Sequence, residues 1–287
     1  MKWRKRLLLA ALFVLVFVGV LLGAGWWMSR GEPEWYTRKK LDPKELEAAA
    51  ERAEHQMRRT LSWAQDQQVR ESRGANGQPS TGPAKDIEIS FTQDELNGFF
   101  QKWDSTFGWS AAYGAYLSDP RIALRDGRLI CAATVNDLGS VLSIEFVPRL
   151  EGDRLWLSVG RVLAGRLPLP ESFWAKYRGQ LERAVELHQP GWRRGAEISP
   201  NGGANTDAVA AAMGDLLVAM LENRPAAPVL FLPYAMESRP RSLPVKIKDL
   251  RIDGRTLTMT VEPLDAGQRR ALLEAMRTAP AADAVRP

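Results

Sequence analysis

The sequence predicts an α+β protein with an N-terminal transmembrane helix, an amphipathic helical stalk, and a domain in which an antiparallel curved sheet packs on helices. Three observations carry this. Leu7 to Trp27 is a 21-residue run without a charge. Residues 118–170 alternate apolar and polar side chains between Asp-Gly and Gly-Asp turns, the period of strands. Runs with apolar residues three and four apart flank that stretch on both sides, the period of helices.

The apolar run is long enough to cross roughly 30 Å of hydrocarbon as a helix at about 1.5 Å per residue. Trp26, Trp27, Trp35 and Tyr36 follow it, where amphipathic rings meet lipid headgroups. The net charge is +5, and Lys2, Arg4, Lys5 and Arg6 leave only +1 for residues 7–287. The basic balance therefore belongs to the N-terminal edge, which favours a cytoplasmic N-terminus with the rest outside and argues against nucleic acid as a partner. Arg30, Arg38, Lys39, Lys40 and Lys44 follow the run; they weaken that orientation but lie farther from the first segment to insert. A cleaved signal peptide, with Gly23-Ala24-Gly25 as its small-residue site, is the competing reading.

The expected organisation is a basic tip and anchor over 1–30, a stalk over 42–73, a flexible linker over 74–85, a folded domain over 86–278 and a frayed tail over 279–287. Asp42-Pro43 opens the stalk as N-cap and first helical residue. Its stripe of Leu46, Ala50, Ala53, Met57, Leu61 and Ala64 suits packing on the domain, pairing with a second copy or resting on the membrane. Gly74 to Lys85 is rich in Gly, Pro, Ser and Asn without periodicity, hence the linker. Ile87 to Phe91 alternates as a strand, and Thr92 with Glu95 forms a capping box for a helix from Gln93 to Trp103. An aromatic loop through Phe107, Trp109, Tyr113 and Tyr116 follows.

Asp126-Gly127 and Glu151-Gly-Asp153 join strands of a four-stranded meander. Leu155, Leu157 and Val159 alternate with Trp156, Ser158 and Gly160, giving one face to a core and one to something less polar than water. Helices are expected from Pro170 to about Leu187, from Thr206 to Glu222 and from Asp265 to Thr278, with Pro190 to Gly203 as loop. Val229 to Leu232 is extended. Val245–Ile252 and Arg255–Val261 form a hairpin whose Asp253-Gly254 turn resembles Asp126-Gly127, as an internal duplication would.

Chemistry-bearing motifs are sparse. Cys131 is alone and sits in a strand, so it reads as core rather than as half of a disulfide or metal site. His55 and His188 lie in separate segments without metal-ligand spacing. Gly-x-Ser-x-Gly and Walker-type loops are absent. Asp119, Asp126, Asp137 and Asp153 fall at strand ends, where turn chemistry accounts for them. The expectation is a non-enzymatic protein without cofactor or metal.

Thr92-x-x-Glu95-Leu96-Asn97 on a helix, Ser118-Asp-Pro at a strand start and Gly165-Arg-Leu-Pro-Leu-Pro170 closing the strands together resemble the YpmS-like family of single-pass envelope proteins, over about residues 87–190. The Ala-rich helix at 206–222 departs from that pattern. The resemblance implies a fold akin to tubular lipid-binding domains, where a curved sheet wraps a long helix around an apolar groove, and it carries no catalytic residue. Trp103, Trp109, Leu163, Leu167, Leu169, Phe173 and Trp174 are candidate groove walls, with burial as ordinary core the other reading of the patch from Leu163 to Trp174. Arg121, Arg161 and Arg166 are candidate headgroup contacts by charge. Expected partners are membrane lipid and an envelope protein or a second copy through the stalk; an envelope scaffold docking protein partners is the alternative to lipid binding.

Overall fold

A computed structural model describes residues 28–36, 42–74, 86–107, 114–115, 117–199, 203–236 and 239–278. The apolar run, the linker and the tail expected from sequence lie outside these residues. Among the described residues, no helix is long and apolar enough to cross a membrane.

Two antiparallel sheets organise the chain. Strands β1 (Ile87–Thr92), β7 (Val229–Met236), β8 (Arg239–Asp253) and β9 (Thr256–Pro263) form a four-stranded sheet in the order β1-β9-β8-β7. Strands β2 (Leu117–Arg125), β3 (Arg128–Val135), β4 (Ser140–Glu151), β5 (Arg154–Ala164) and the short β6 (Leu167–Pro168) form a five-stranded meander. The helices are α1 (Pro43–Gly74), α2 (Gln93–Phe107), α3 (Glu171–Gly195), α4 (Thr206–Leu221) and α5 (Ala266–Thr278). The α+β reading and the meander stand, with a second sheet added.

The hairpins follow their turn residues. Arg125 pairs with Arg128, and both loop residues, Asp126 and Gly127, have positive φ, 48° and 73°; a two-residue turn of that kind matches the strand twist. The similar hairpin at Asp253 differs by one place. Asp253 itself pairs with Thr256, leaving Gly254-Arg255 as the loop, with Gly254 at φ 56°. The two hairpins therefore share residues but not turn geometry, and they sit in different sheets.

Of the three partners open to the stripe of the expected stalk, helix α1 takes the domain. Its Ala53 and Ala64 are fully buried in one cluster with Ile89, Phe91, Leu232, Val245, Met259 and Val261, so it is a core helix of the four-stranded sheet. Removing this apolar stripe from water stabilises at roughly 25 cal/mol per Å², which packing on the domain supplies without a second copy. The folded unit accordingly begins well before Asp86. Thr60, also buried, satisfies its hydroxyl on the Gln56 carbonyl at 2.9 Å.

Helix α2 lies close against α1 because Gly98 has no side chain. A Cβ there would stand 2.8 Å from both Ala50 N and the Leu46 carbonyl oxygen. Arg52 Nε meets Glu95 Oε1 at 3.2 Å, and Lys102 Nζ meets Glu54 Oε1 at 2.9 Å across the same contact. The capping box forms as expected: Glu95 Oε2 accepts from Thr92 N at 2.9 Å and Glu95 N donates to Thr92 Oγ1 at 3.3 Å.

Helix α2 also joins the sheets. Asn97 Nδ2 donates to the Ile122 carbonyl and its Oδ1 accepts from Ile122 N, both at 2.8 Å. Gln93 Oε1 accepts from Leu124 N at 3.1 Å. These are outward backbone groups of β2, an edge strand. At the far end of the meander, Leu155 and Ala226 exchange two backbone hydrogen bonds, and Lys246 Nζ on β8 reaches Asp153 Oδ1 at 2.7 Å.

Helix α3 runs eight residues past Leu187, through Pro190, where the sequence suggests a loop. Proline costs about 3 kcal/mol inside a helix. Packing on α4 offsets it: Gln189 and Arg193 both donate to Asp215 Oδ1 at 2.6 Å, and Trp192 packs over Gly214.

Gly98→Ala is expected to lower stability by about 1–3 kcal/mol, since backbone rather than a movable side chain opposes the new methyl; the urea midpoint measures it, and an unchanged midpoint would show that α1 and α2 are not in register as described. A chain beginning at Asp86 lacks α1 and should lose its cooperative unfolding transition by circular dichroism.

Candidate functional site

The two faces of the five-stranded sheet have opposite characters, and register assigns each residue to one of them. One face carries Arg121 and Ala123 of β2, Ile130, Ala132 and Thr134 of β3, Val141, Ser143 and Glu145 of β4, and Arg161 and Leu163 of β5. Ala123, Ile130, Ala132, Val141, Ser143 and Glu145 are buried.

The segment just beyond the apolar run packs on this face. Residues 28–30 are helical, and Glu34–Tyr36 forms one 3-10 turn. Tyr36 is 1% exposed and clusters with Trp35, Ala132 and Val141. Its hydroxyl donates to the Asp119 carbonyl at 2.7 Å and lies 3.1 Å from Thr134 Oγ1. Arg121 stacks over its ring at 5.7 Å, a cation–π contact.

Asp119 is where β2 bulges. Between Ser118 and Arg121 the register gains a residue, and Asp119 takes φ 50°. Asp tolerates that left-handed geometry better than most residues. The bulge turns its carbonyl toward Tyr36.

A second set of bonds fixes the start of the segment. Arg166 N donates to the Met28 carbonyl at 2.9 Å, Arg166 Nε donates to the Glu32 carbonyl at 3.0 Å, and Ser140 Oγ donates to the Ser29 carbonyl. Gly165, at φ 59°, has no room for a side chain: a Cβ would lie 2.7 Å from the Gly31 carbonyl oxygen and nearer still to those of Met28 and Ser29.

Glu145 is the buried charge of this face, 8% exposed. Its Oε2 accepts from Arg128 at 2.9 Å and from Arg161 Nε at 3.0 Å. Two guanidinium groups thus share one carboxylate oxygen, which compensates the charge inside the sheet.

The opposite face is apolar. It carries Ile122 and Leu124, then Leu129, Cys131, Ala133 and Val135, then Leu142, Ile144 and Phe146, then Val162 and Ala164. Leu124, Phe146 and Val162 are buried, while Leu129, Cys131, Ala133, Val135, Leu142 and Ile144 are only half-buried. Cys131 lies in its middle, and burial pushes its thiol up to about 11. The apolar side is thus a half-buried sheet face some four strands wide.

The residues singled out from sequence do not gather into one site. Leu163 falls on the Tyr36 face, opposite Ser143, whereas Leu167 pairs with Ala164 of the apolar face. Leu169 is half-buried and donates its N–H to the Val162 carbonyl at 2.8 Å. Trp103 lies in α2 and Phe173 and Trp174 in the first turn of α3, with side chains outside the described set; Trp109 lies outside the described residues. The three arginines are engaged by the protein itself: Arg121 on Tyr36, Arg161 on Glu145, Arg166 on Glu32. Arg121 and Arg161 project from the face opposite the apolar one, so they do not frame it. Arg161 meets its partner on the neighbouring strand, whereas Arg121 and Arg166 meet theirs in the segment 28–36.

Tyr36 and Glu145 went unnoticed in the sequence. Tyr36 read as an interfacial ring because it follows the apolar run. Glu145 had a signal, being the one acid in the apolar stretch Val141-Leu-Ser-Ile-Glu-Phe-Val147. A groove of about 310 Å³ lies elsewhere, between α1 and α2, lined by Pro43, Leu46, Glu47, Ala50, Gly98, Gln101 and Lys102. Among the described residues, no three His, Cys, Asp or Glu side chains group as a metal site.

No family model, curated protein or solved structure matches the chain. The resemblance to the YpmS-like family therefore rests on its quoted motifs alone.

Tyr36→Phe should cost about 1–2 kcal/mol, because it leaves the Asp119 carbonyl and the Thr134 hydroxyl without their partner. Burial raises the phenol above its ordinary 10.0. Its contribution is therefore complete below the unfolded value and lost as pH rises through the folded one. Urea midpoints taken from pH 8 upward should fall in that alkaline window, roughly above pH 10, and the Tyr36→Phe chain should lack that component.

Proposed function

We propose that this chain is a single-pass membrane protein whose outer domain holds or hands over a lipid-like apolar ligand close to the bilayer. Leu7 to Trp27 is its anchor, and the N-terminus is cytoplasmic. The observation that carries the reading is the half-buried apolar face of the five-stranded sheet. Leu129, Cys131, Ala133, Leu142 and Ile144 offer a continuous wall without a charged group, and soluble domains rarely leave such surface to water without use. An acyl chain lying along it would be held by removal of apolar area from water, at roughly 25 cal/mol per Å². The resemblance to envelope proteins likened to tubular lipid-binding domains belongs to the same proposal. The arginines take no part in headgroup recognition in this reading, because each is bound elsewhere in the chain.

A second reading, a scaffold that docks an envelope protein, draws on Leu187 of α3 and Met213 of α4, which are 80% and 56% exposed. The ligand face and these positions are on different elements, so one experiment separates them.

Native mass spectrometry of the full chain released from mild detergent should show a retained lipid mass in one-to-one ratio. Ala133→Trp, which fills the middle of the apolar face, should abolish it while the thermal transition persists. Absence of any adduct, or equal retention by Ala133→Trp, would sink the ligand reading; loss of a co-purifying protein in a Leu187→Asp, Met213→Asp chain would favour the scaffold.

A further inference from the structure

The turns of the meander divide into two ends. The β2–β3 turn at Asp126-Gly127 and the β4–β5 turn at Gly152-Asp153 are at one end. The β3–β4 turn at residues 136–139 and the β5–β6 turn at Gly165-Arg166 are at the other. It is at this second end that the chain arrives from the apolar run. Met28, the residue next to Trp27, gives its carbonyl to Arg166 N at 2.9 Å, and Ser29 gives its own to Ser140. Met28 directly follows the apolar run in the sequence.

The same end exposes the residue that a bilayer would take. Leu138, at the tip of the β3–β4 turn, is 62% exposed, next to Gly139 at φ 59°. Asn136 of that turn donates to the carbonyls of Gly114 and Ala115 at 2.9 and 3.3 Å, which ties the end of the aromatic loop to it. A lone exposed leucine is ordinary; one beside the point where an apolar anchor ends has a specified neighbour.

We infer that the domain is pinned to the membrane in one orientation, with the β3–β4 and β5–β6 turns against the bilayer and Leu138 inserted at the headgroup level. This rests on the anchor proposed above. The strands then stand away from the membrane, and the apolar face opens toward it along one edge, so that a lipid can pass between bilayer and sheet without crossing water. Arg166, Ser140 and Tyr36 serve to hold that orientation: they fasten residues 28–36 to the sheet and remove the slack a free tether would have.

The test uses the full chain in vesicles of phosphatidylethanolamine and phosphatidylglycerol, with Cys131→Ala removing the native thiol. An environment-sensitive fluorophore is attached at Leu138→Cys or, at the opposite end, at Glu151→Cys, and the vesicles carry a lipid with a spin label at headgroup depth. The label at 138 should shift to the blue and lose most of its emission to the quencher, while the label at 151 keeps both its colour and its intensity. Alkaline extraction of the same vesicles reads the anchor separately. A chain that resists extraction but shows equal emission at 138 and 151 overturns the fixed orientation and leaves the anchor standing. A chain that is extracted overturns both, and quenching at 151 in place of 138 overturns the orientation in its stated sense.

Discussion

The hydrogen bonds that Asn97 makes to Ile122 hold the architecture together. An edge strand presents unpaired N–H and C=O groups, and burying them unpaired costs about 1–3 kcal/mol each. Asn97 offers a carboxamide whose donor and acceptor match one residue of β2, so helix α2 takes the place of a further strand. Helix α1 and the first sheet meet on that helix. Gly98, the next residue, sits under α1; Glu95, two before, closes the cap with Thr92 and receives Arg52 from α1. Glu95, Asn97 and Gly98 thus join both sheets and the longest helix.

Local chemistry was legible in the sequence wherever the cause is local. Thr92 with Glu95 announces a helix start because both partners lie within one turn, and Asp126-Gly127 announces a tight turn because few other residues accept two positive φ values. The partner of an amphipathic face is not written in its period. The alanine stripe of α1 reads against a sheet, a second copy or a membrane; only β1 and the distant strands β7, β8 and β9, brought back by folding, decide among them. Pro190 failed for a related reason, since the compensation for a broken helix bond lies on α4. Arginines mislead most readily, as their charge is visible and their partner is not: Arg161 finds Glu145 across a strand pair, which the spacing of neither residue discloses.

The meander shows how a single sheet can serve two incompatible surroundings. On one side the chain folds its own residues 28–36 down and makes its polar bonds there, with the Asp119 bulge aimed at Tyr36 and Glu145 neutralised twice. On the other side the strands keep small and aliphatic residues without a polar group. The wall of buried polar bonds fixes the sheet's shape, and so leaves the aliphatic side free to meet an apolar neighbour without being needed for rigidity.

The pairing of β1 with β9 sets an order of events. Ser90 and Thr258, 168 residues apart, meet at 3.0 Å across that pair, and contacts so distant in sequence form late because closing the loop costs entropy first. The core beneath α1 stays open until the last hairpin exists, while the meander between them is made of neighbouring strands and can assemble by itself. A nascent chain therefore holds a finished meander, and an α1 covered only by α2, until the last hairpin closes over the alanine stripe.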